Sequence, residues 1–150
     1  MNDNAGMIYQ FLEQGCEACL GTSDGGLPHL SAVGYLYDPE KKTEASHGTV
    51  YMLLSDLARH TQILRKNPEA ALFVIEAEGG KPVYEKKRLT VTGRVGLVED
   101  PGKIGTLKAA YLKAFPDSKV FFTLADFCFY AMPVRELIWY GGFGRALTVR

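Results

Sequence analysis

The chain has 150 residues, 47% hydrophobic and 23% charged, which is the size and composition of a single domain, residues 1–150, with a sizeable core. Its 17 Lys plus Arg balance 17 Asp plus Glu, so no global field draws it to nucleic acid or to an anionic membrane, and neither partner is expected. No apolar run is long enough to cross a bilayer, and the first residues lack the basic region and apolar core of a secretory signal, so a cytoplasmic location is expected.

Residues 5–14 place Met7, Ile8, Phe11 and Leu12 at helical spacing, with Gly15 as the stop. Residues 16–22 read as a strand, residues 23–26 as a hairpin turn, and residues 28–37 as a second strand. In that second strand Leu30, Ala32, Gly34 and Leu36 share one face, and His29, Ser31, Val33, Tyr35 and Tyr37 the other. Cys16 and Cys19 have the spacing of half a zinc site or of a redox pair. A closed zinc site wants four ligands, and the remaining Cys128, His29, His47 and His60 offer no second pair; a redox pair should open a helix, not lie in a strand. No metal is expected, and Cys19 reads as a small buried hydrophobe. Three cysteines, an odd number, also fit a reducing compartment better than a disulfide framework. Residues 38–48 form a polar loop in which His47 reads as solvated.

The chemistry of the chain concentrates in residues 50–68. Residues 50–54 are a β-prone apolar run; Ser55 and Asp56 can offer side-chain oxygens to a helix's first turn, which predicts a helix from about Leu57. Leu57, Ile63 and Leu64 supply its apolar stripe, Arg59, His60, Thr61, Arg65 and Lys66 its polar face, and Asn67-Pro68 its stop. Free N–H groups at the positive end of a helix favour an anion, and Arg59 can add a bidentate fork to a phosphate. A capped helix with a solvated basic face is the plainer alternative.

Residues 70–77 read as a buried strand, 78–82 as a loop, and 88–98 as a half-buried strand in which Gly93 or Gly96 marks a bulge or bend. Residues 100–102 end it, and Ile104, Leu107, Tyr111, Leu112 and Phe115 define an amphipathic helix closed by Pro116. Residues 127–132 and 136–140 read as two strands separated by Pro133, followed by a glycine-rich turn, residues 141–146, and a β-prone tail. Six or seven strands with hairpin-length links argue for a mainly β protein, an antiparallel barrel with appended helices. Neither a nucleophile elbow nor a dinucleotide fingerprint with its helix is present, so no catalytic residue is assigned.

Three pieces in this order resemble the FMN-binding split-barrel superfamily that includes pyridoxamine 5′-phosphate oxidase, and more closely its haem-utilisation (HugZ-like) branch. They are residues 26–31 (Gly-Leu-Pro-His-Leu-Ser); residues 54–61 (Leu-Ser-Asp-Leu-Ala-Arg-His-Thr) with Asn67-Pro68; and residues 126–130 (Asp-Phe-Cys-Phe-Tyr) leading to residues 140–146 (Tyr-Gly-Gly-Phe-Gly-Arg-Ala). The resemblance covers roughly residues 18–146 and implies a six- to seven-stranded Greek-key split barrel, a homodimer with FMN at the subunit interface, and an FMN-dependent oxidoreductase of unknown substrate. It places Arg59 and His60 where relatives hold the FMN phosphate with Arg-Lys, with Ser55 and Thr61 as hydroxyl donors. It implies that Ser31, Ala32 and Val33 line the isoalloxazine by backbone contacts, that Arg88 lies near the flavin, and that Arg145 reaches the ring or a substrate from the other subunit. The Arg-x-His segment of the oxidase proper is replaced here by Gly-Phe-Gly-Arg-Ala, which argues against vitamin B6 oxidation. Haem-degrading relatives take an iron ligand from a histidine in a C-terminal extension, and no histidine follows His60. The alternative the resemblance carries is a haem-binding or haem-utilisation protein without a tightly bound flavin.

Overall fold

The computed structural model describes residues 3–39, 46–77, 79–142, 144 and 146–150. Helix α1 (Asp3–Gln14) is followed by β1 (Glu17–Asp24), β2 (Leu27–Gly34), β3 (Leu36–Asp38), β4 (Thr49–Ser55), α2 (Arg59–Lys66), β5 (Glu69–Ile75), β6 (Lys87–Arg94), β7 (Gly96–Leu97), α3 (Pro101–Ala114), β8 (Phe127–Gly141) and β9 (Ala146–Val149). Short 3₁₀ segments, Val83–Glu85 and Pro116–Thr123, precede β6 and β8. Among the described residues no helix is long and apolar enough to cross a membrane.

The strands pair antiparallel in the order β2-β1-β5-β6-β8-β4-β3. Its two ends are one stretch of chain, because only Tyr35 separates β2 from β3, so the sheet wraps round upon itself. Strands β1, β2/β3 and β4 follow one another as neighbours, and β5 returns through α2 to lie beside β1, which is a Greek key. The expected barrel of six to seven strands is therefore present with six, β7 and β9 being short additions to β8. Tyr35 sits at the seam: it is 1% exposed, its N–H donates to the Cys16 carbonyl at 2.9 Å, and its hydroxyl donates to the Leu12 carbonyl at 2.7 Å.

Alternation explains the interior. Leu20, Val50, Met52, Leu72, Leu89, Val91, Met132 and Leu137 point inward and are fully buried, and Ile8 and Leu12 of α1 pack into the same core. Each such side chain contributes roughly 1.5–3 kcal/mol by leaving water. The unbroken apolar character of β4 has a separate cause: its outward Leu53 joins Leu107 and Tyr111 of α3 and Phe129 of β8 in a second cluster. Both faces of β4 are covered.

Several sequence expectations change here. Residues 127–132 and 136–140 are one strand, not two: Pro133 pairs with Thr49, and the bond from Val134 N–H to the Gly48 carbonyl at 3.0 Å makes that a non-hydrogen-bonded pair. Proline's nitrogen thus faces away from β4, to a side where the register gives residue 133 no partner. The expected bulge is real: the β6–β8 register shifts between Thr92 and Gly93, and a Cβ at Gly93 would run into the Pro133 carbonyl. Residues 88–98 bend at Val95 and divide into β6 and β7. Cys19 is half-exposed on the outer face, opposite Ala32 and Phe73, not a buried hydrophobe. His47 is buried, not solvated: the Tyr9 hydroxyl lies 2.7 Å from its Nδ1, and its carbonyl accepts from the Tyr37 hydroxyl at 2.8 Å.

Candidate anion site at the start of α2

Helix α2 packs against β1 and β2. It starts at Arg59, two residues later than expected, and its N-cap, Ala58, offers no side-chain acceptor. The first α-type bond runs from Gln62 N–H to the Ala58 carbonyl, so the N–H groups of Arg59, His60 and Thr61 have no intrahelical acceptor. Arg65 and Lys66 sit at the opposite end, where they suit the dipole.

Ser55 and Asp56 shape the turn before the helix instead of capping it. The Ser55 hydroxyl donates to Asp126 Oδ2 at 2.6 Å while accepting from Leu57 N–H at 3.2 Å. Asp56 accepts from the Tyr130 hydroxyl at 2.8 Å, pairs with Arg65 at 3.1 Å, and donates its N–H to the Asp126 carbonyl at 2.6 Å. Burial and Asp56 together push the phenol of Tyr130 and the thiol of Cys128 up, keeping both protonated. This clamp ties the end of β4 to the start of β8 and fixes where α2 begins. The sequence marks residues 126–130 and Arg65 without this role, since the Ser55–Asp126 and Asp56–Tyr130 contacts join residues some 70 apart along the chain. Ser55 is thus occupied as a donor within the protein.

Other residues in the region hold unused hydrogen-bonding capacity. Thr61 is fully buried and its Oγ1 has no partner; Ser31 Oγ and His60 Nε2 are also buried without one. Ser31 lies on the inward face of β2, its register partner being buried Leu20, and α2 packs on that side, so the three atoms sit on facing elements. Such orphaned atoms cost about 1–3 kcal/mol each unless a ligand or water meets them. His60 is held below its ordinary 6.5 by burial and then by His29, which comes from the same face of β2 as Ser31. Arg59 is exposed and pairs with no carboxylate among the described residues. Val33 is half-buried on the Ser31 side.

The remaining sequence candidates lie elsewhere. Ala32 points outward and lines an open groove of about 760 Å³ with Cys19, Phe73 and Ile75. Arg88 belongs to the same outer face, on β6, with its guanidinium carbon 4.8 Å from the ring centroid of its cross-strand neighbour Tyr140 and a buried Nε that has no partner. One chain therefore brings Ser31, Val33, His60 and Thr61 onto facing elements, with Arg59 at the rim, and leaves Ala32 and Arg88 on the outer face of the sheet. Arg145 lies outside the described residues.

Known proteins share this fold. The model of the family described as CREG, beta-barrel, matches residues 11–150. No curated protein matches. Among solved structures, a heme-binding protein from Mycobacterium smegmatis superposes with TM-score 0.82 at 22% identity over 99% of this chain and 58% of its own, so this chain spans less than two thirds of that protein. HutZ, a heme storage protein from Vibrio cholerae, gives 0.72 at 24% over 92% and 95%. An FAD-binding protein from Mesorhizobium loti gives 0.66 at 19% over 89% of each chain. At these identities the likeness is one of fold.

Proposed function

This chain belongs to the CREG β-barrel family, within the split-barrel superfamily, and from that premise we propose that it is an FMN-binding flavoprotein, a homodimeric FMN-dependent oxidoreductase. The observation that carries the reading is a set of polar groups at the start of α2 and on the facing β2: three N–H groups with no intrahelical acceptor, the orphaned Thr61 and Ser31 oxygens and His60 Nε2, and an Arg59 guanidinium that pairs with no carboxylate among the described residues. These donors suit a phosphate dianion. In this reading Arg59 forks the phosphate, the α2 N–H groups and Thr61 donate to it, and Ser31 to Val33 hold the ring by their backbone along β2. FMN supplies the electron transfer; the protein binds it, orients it and excludes water.

The outer face supports the dimer. Leu30, Phe73 and Ile75 are 68%, 39% and 37% exposed on adjoining strands, with Ala32 and Cys19 between them and Arg88 beyond. A second copy laid on this face would cover the apolar surface and bring Arg88 of one subunit toward the other subunit's β2. A haem-binding or haem-utilisation role is the second reading, favoured by the folds shared with a heme-binding and a heme storage protein.

The purified protein is mixed with FMN or, separately, with hemin, desalted, and its visible spectrum recorded. Retention of about one FMN per chain is expected. Retained hemin with no FMN would replace the flavoprotein reading by the haem one. Arg59→Ala should weaken FMN by roughly ten- to hundredfold, the effect of losing a charge-assisted contact of about 1.5–3 kcal/mol. Unchanged affinity would remove Arg59 from the site.

A further inference from the structure

His60 occupies the position at which the site would be served most simply by a permanent cation. It is instead a half-buried imidazole whose Nε2 is enclosed and has no partner. A second imidazole, His29, acts on it electrostatically from β2, against which α2 packs. A positive charge on His29 would work against one on His60, as burial does. An imidazole with an enclosed nitrogen becomes a donor of charge-assisted hydrogen bonds only when an anion arrives.

Resting on the FMN reading above, we propose that the phosphate end of this site is proton-coupled: binding FMN takes one proton from solvent onto His60, and riboflavin, which lacks the phosphate, takes none. The charged and titratable surroundings of His60 are few. From β2 it is acted on by His29. From β1 it sees the inward Ala18, Leu20 and Thr22, none of which titrates; Asp24 lies at the strand's end, next to Ser23, whose carbonyl accepts from Asn67 beyond the far end of the helix. On its own helix Arg59 carries a permanent charge, and Arg65 is paired with Asp56. Burial and His29 both act to keep His60 neutral in the ligand-free protein near neutral pH. A phosphate dianion acts the other way, favouring the imidazolium. The phosphate's own second ionisation, near pH 6, is complete above about pH 7, so pH dependence there belongs to the protein.

The expected result is that FMN affinity, read by quenching of flavin fluorescence, falls by up to about tenfold per pH unit from about pH 7 to about pH 8, with riboflavin affinity flat over the same range. Calorimetry in two buffers of different ionisation enthalpy should count close to one proton taken up per FMN. His60→Lys should make FMN affinity nearly independent of pH, and His60→Gln should weaken FMN and also flatten the profile. Circular dichroism verifies that each variant is folded, and the glutamine variant serves if the buried lysine is not tolerated. FMN that binds wild type with a flat profile and no proton uptake would overturn the coupling while leaving the flavoprotein reading intact. A protein that binds no FMN would overturn both. A pH slope that persists unchanged in a folded His60→Gln protein would also overturn the assignment to His60.

Discussion

Thr61→Val offers a sharp test of whether the start of α2 is built for a ligand. Thr61 is fully buried in the first turn, and its hydroxyl has neither donor nor acceptor. Valine keeps the β-branch and the shape, and its helix propensity is close to that of threonine. If the hydroxyl exists only to support packing, removing it should cost stability or nothing, and FMN affinity should not move. If it waits for a phosphate, two effects of opposite sign follow. Ligand-free protein should become more stable by about 1 kcal/mol, since an orphaned buried hydroxyl costs about 1–3 kcal/mol and part of that is already relieved by relaxation. For a chain of this size that is a rise of about 2–4 °C in melting temperature. FMN should meanwhile bind roughly ten- to hundredfold more weakly, through loss of a hydrogen bond to a charged acceptor worth about 1.5–3 kcal/mol. Urea unfolding of the ligand-free protein and a flavin fluorescence titration measure the two quantities separately. Lower stability with unchanged FMN affinity would refute the reasoning.

Other expectations follow from the frame around the site. Tyr35→Phe strips the buried Leu12 carbonyl of its donor at the barrel seam and should cost about 1–2 kcal/mol in urea unfolding, with little effect if the bond is dispensable. Gly93→Ala forces a Cβ onto the Pro133 carbonyl and should destabilise by about 1–3 kcal/mol; a neutral outcome would mean the bulge relaxes freely. Because the folded state holds His60 below its ordinary 6.5, the unfolded chain binds the extra proton first as pH falls. Ligand-free stability should therefore decline as pH drops through about 6.5, and His60→Gln should remove that component of the decline; an identical decline in the variant would place its origin elsewhere.

The barrel was legible because its strands obey simple periodicities. Residues 16–22, 50–54 and 70–77 alternate or run apolar as buried strands do, and the three sequence pieces that resemble the split barrels fall in β2, the β4–α2 turn and β8. What escaped was set by partners distant in the chain. Pro133 looked like a break because a proline inside a strand normally forfeits a ladder bond, yet it sits where its nitrogen faces an unpaired gap. Ser55 and Asp56 looked like caps because their chemistry suits caps, but Asp126, Tyr130 and Arg65 claim them first. Cys19 looked buried because cysteines usually are, while the outward parity of β1 leaves it beside Phe73 on the uncovered face. Of the site, Arg59, His60, Thr61 and Ser31 could be named from sequence. The influence of His29 on His60 could not, since it arises only from the way α2 lies on the β1–β2 hairpin.

The single long strand β8 has a mechanical consequence. Its 15 residues run, at about 3.4 Å each, for roughly 50 Å, with one end beside the Ser55 turn and the other beside Arg88. Its first half zips to β4 and its second half to β6, so neither leaf of the barrel can peel away without tearing the same backbone. Amide deuterium uptake should accordingly report β4, β6 and β8 as one slow-exchanging block, opening only with global unfolding, while α2 and the hairpin beneath it open at lower cost. The two ends of the candidate site are thus pinned to a common spine, and any adjustment to a ligand there would come from the helix and hairpin that lie over it.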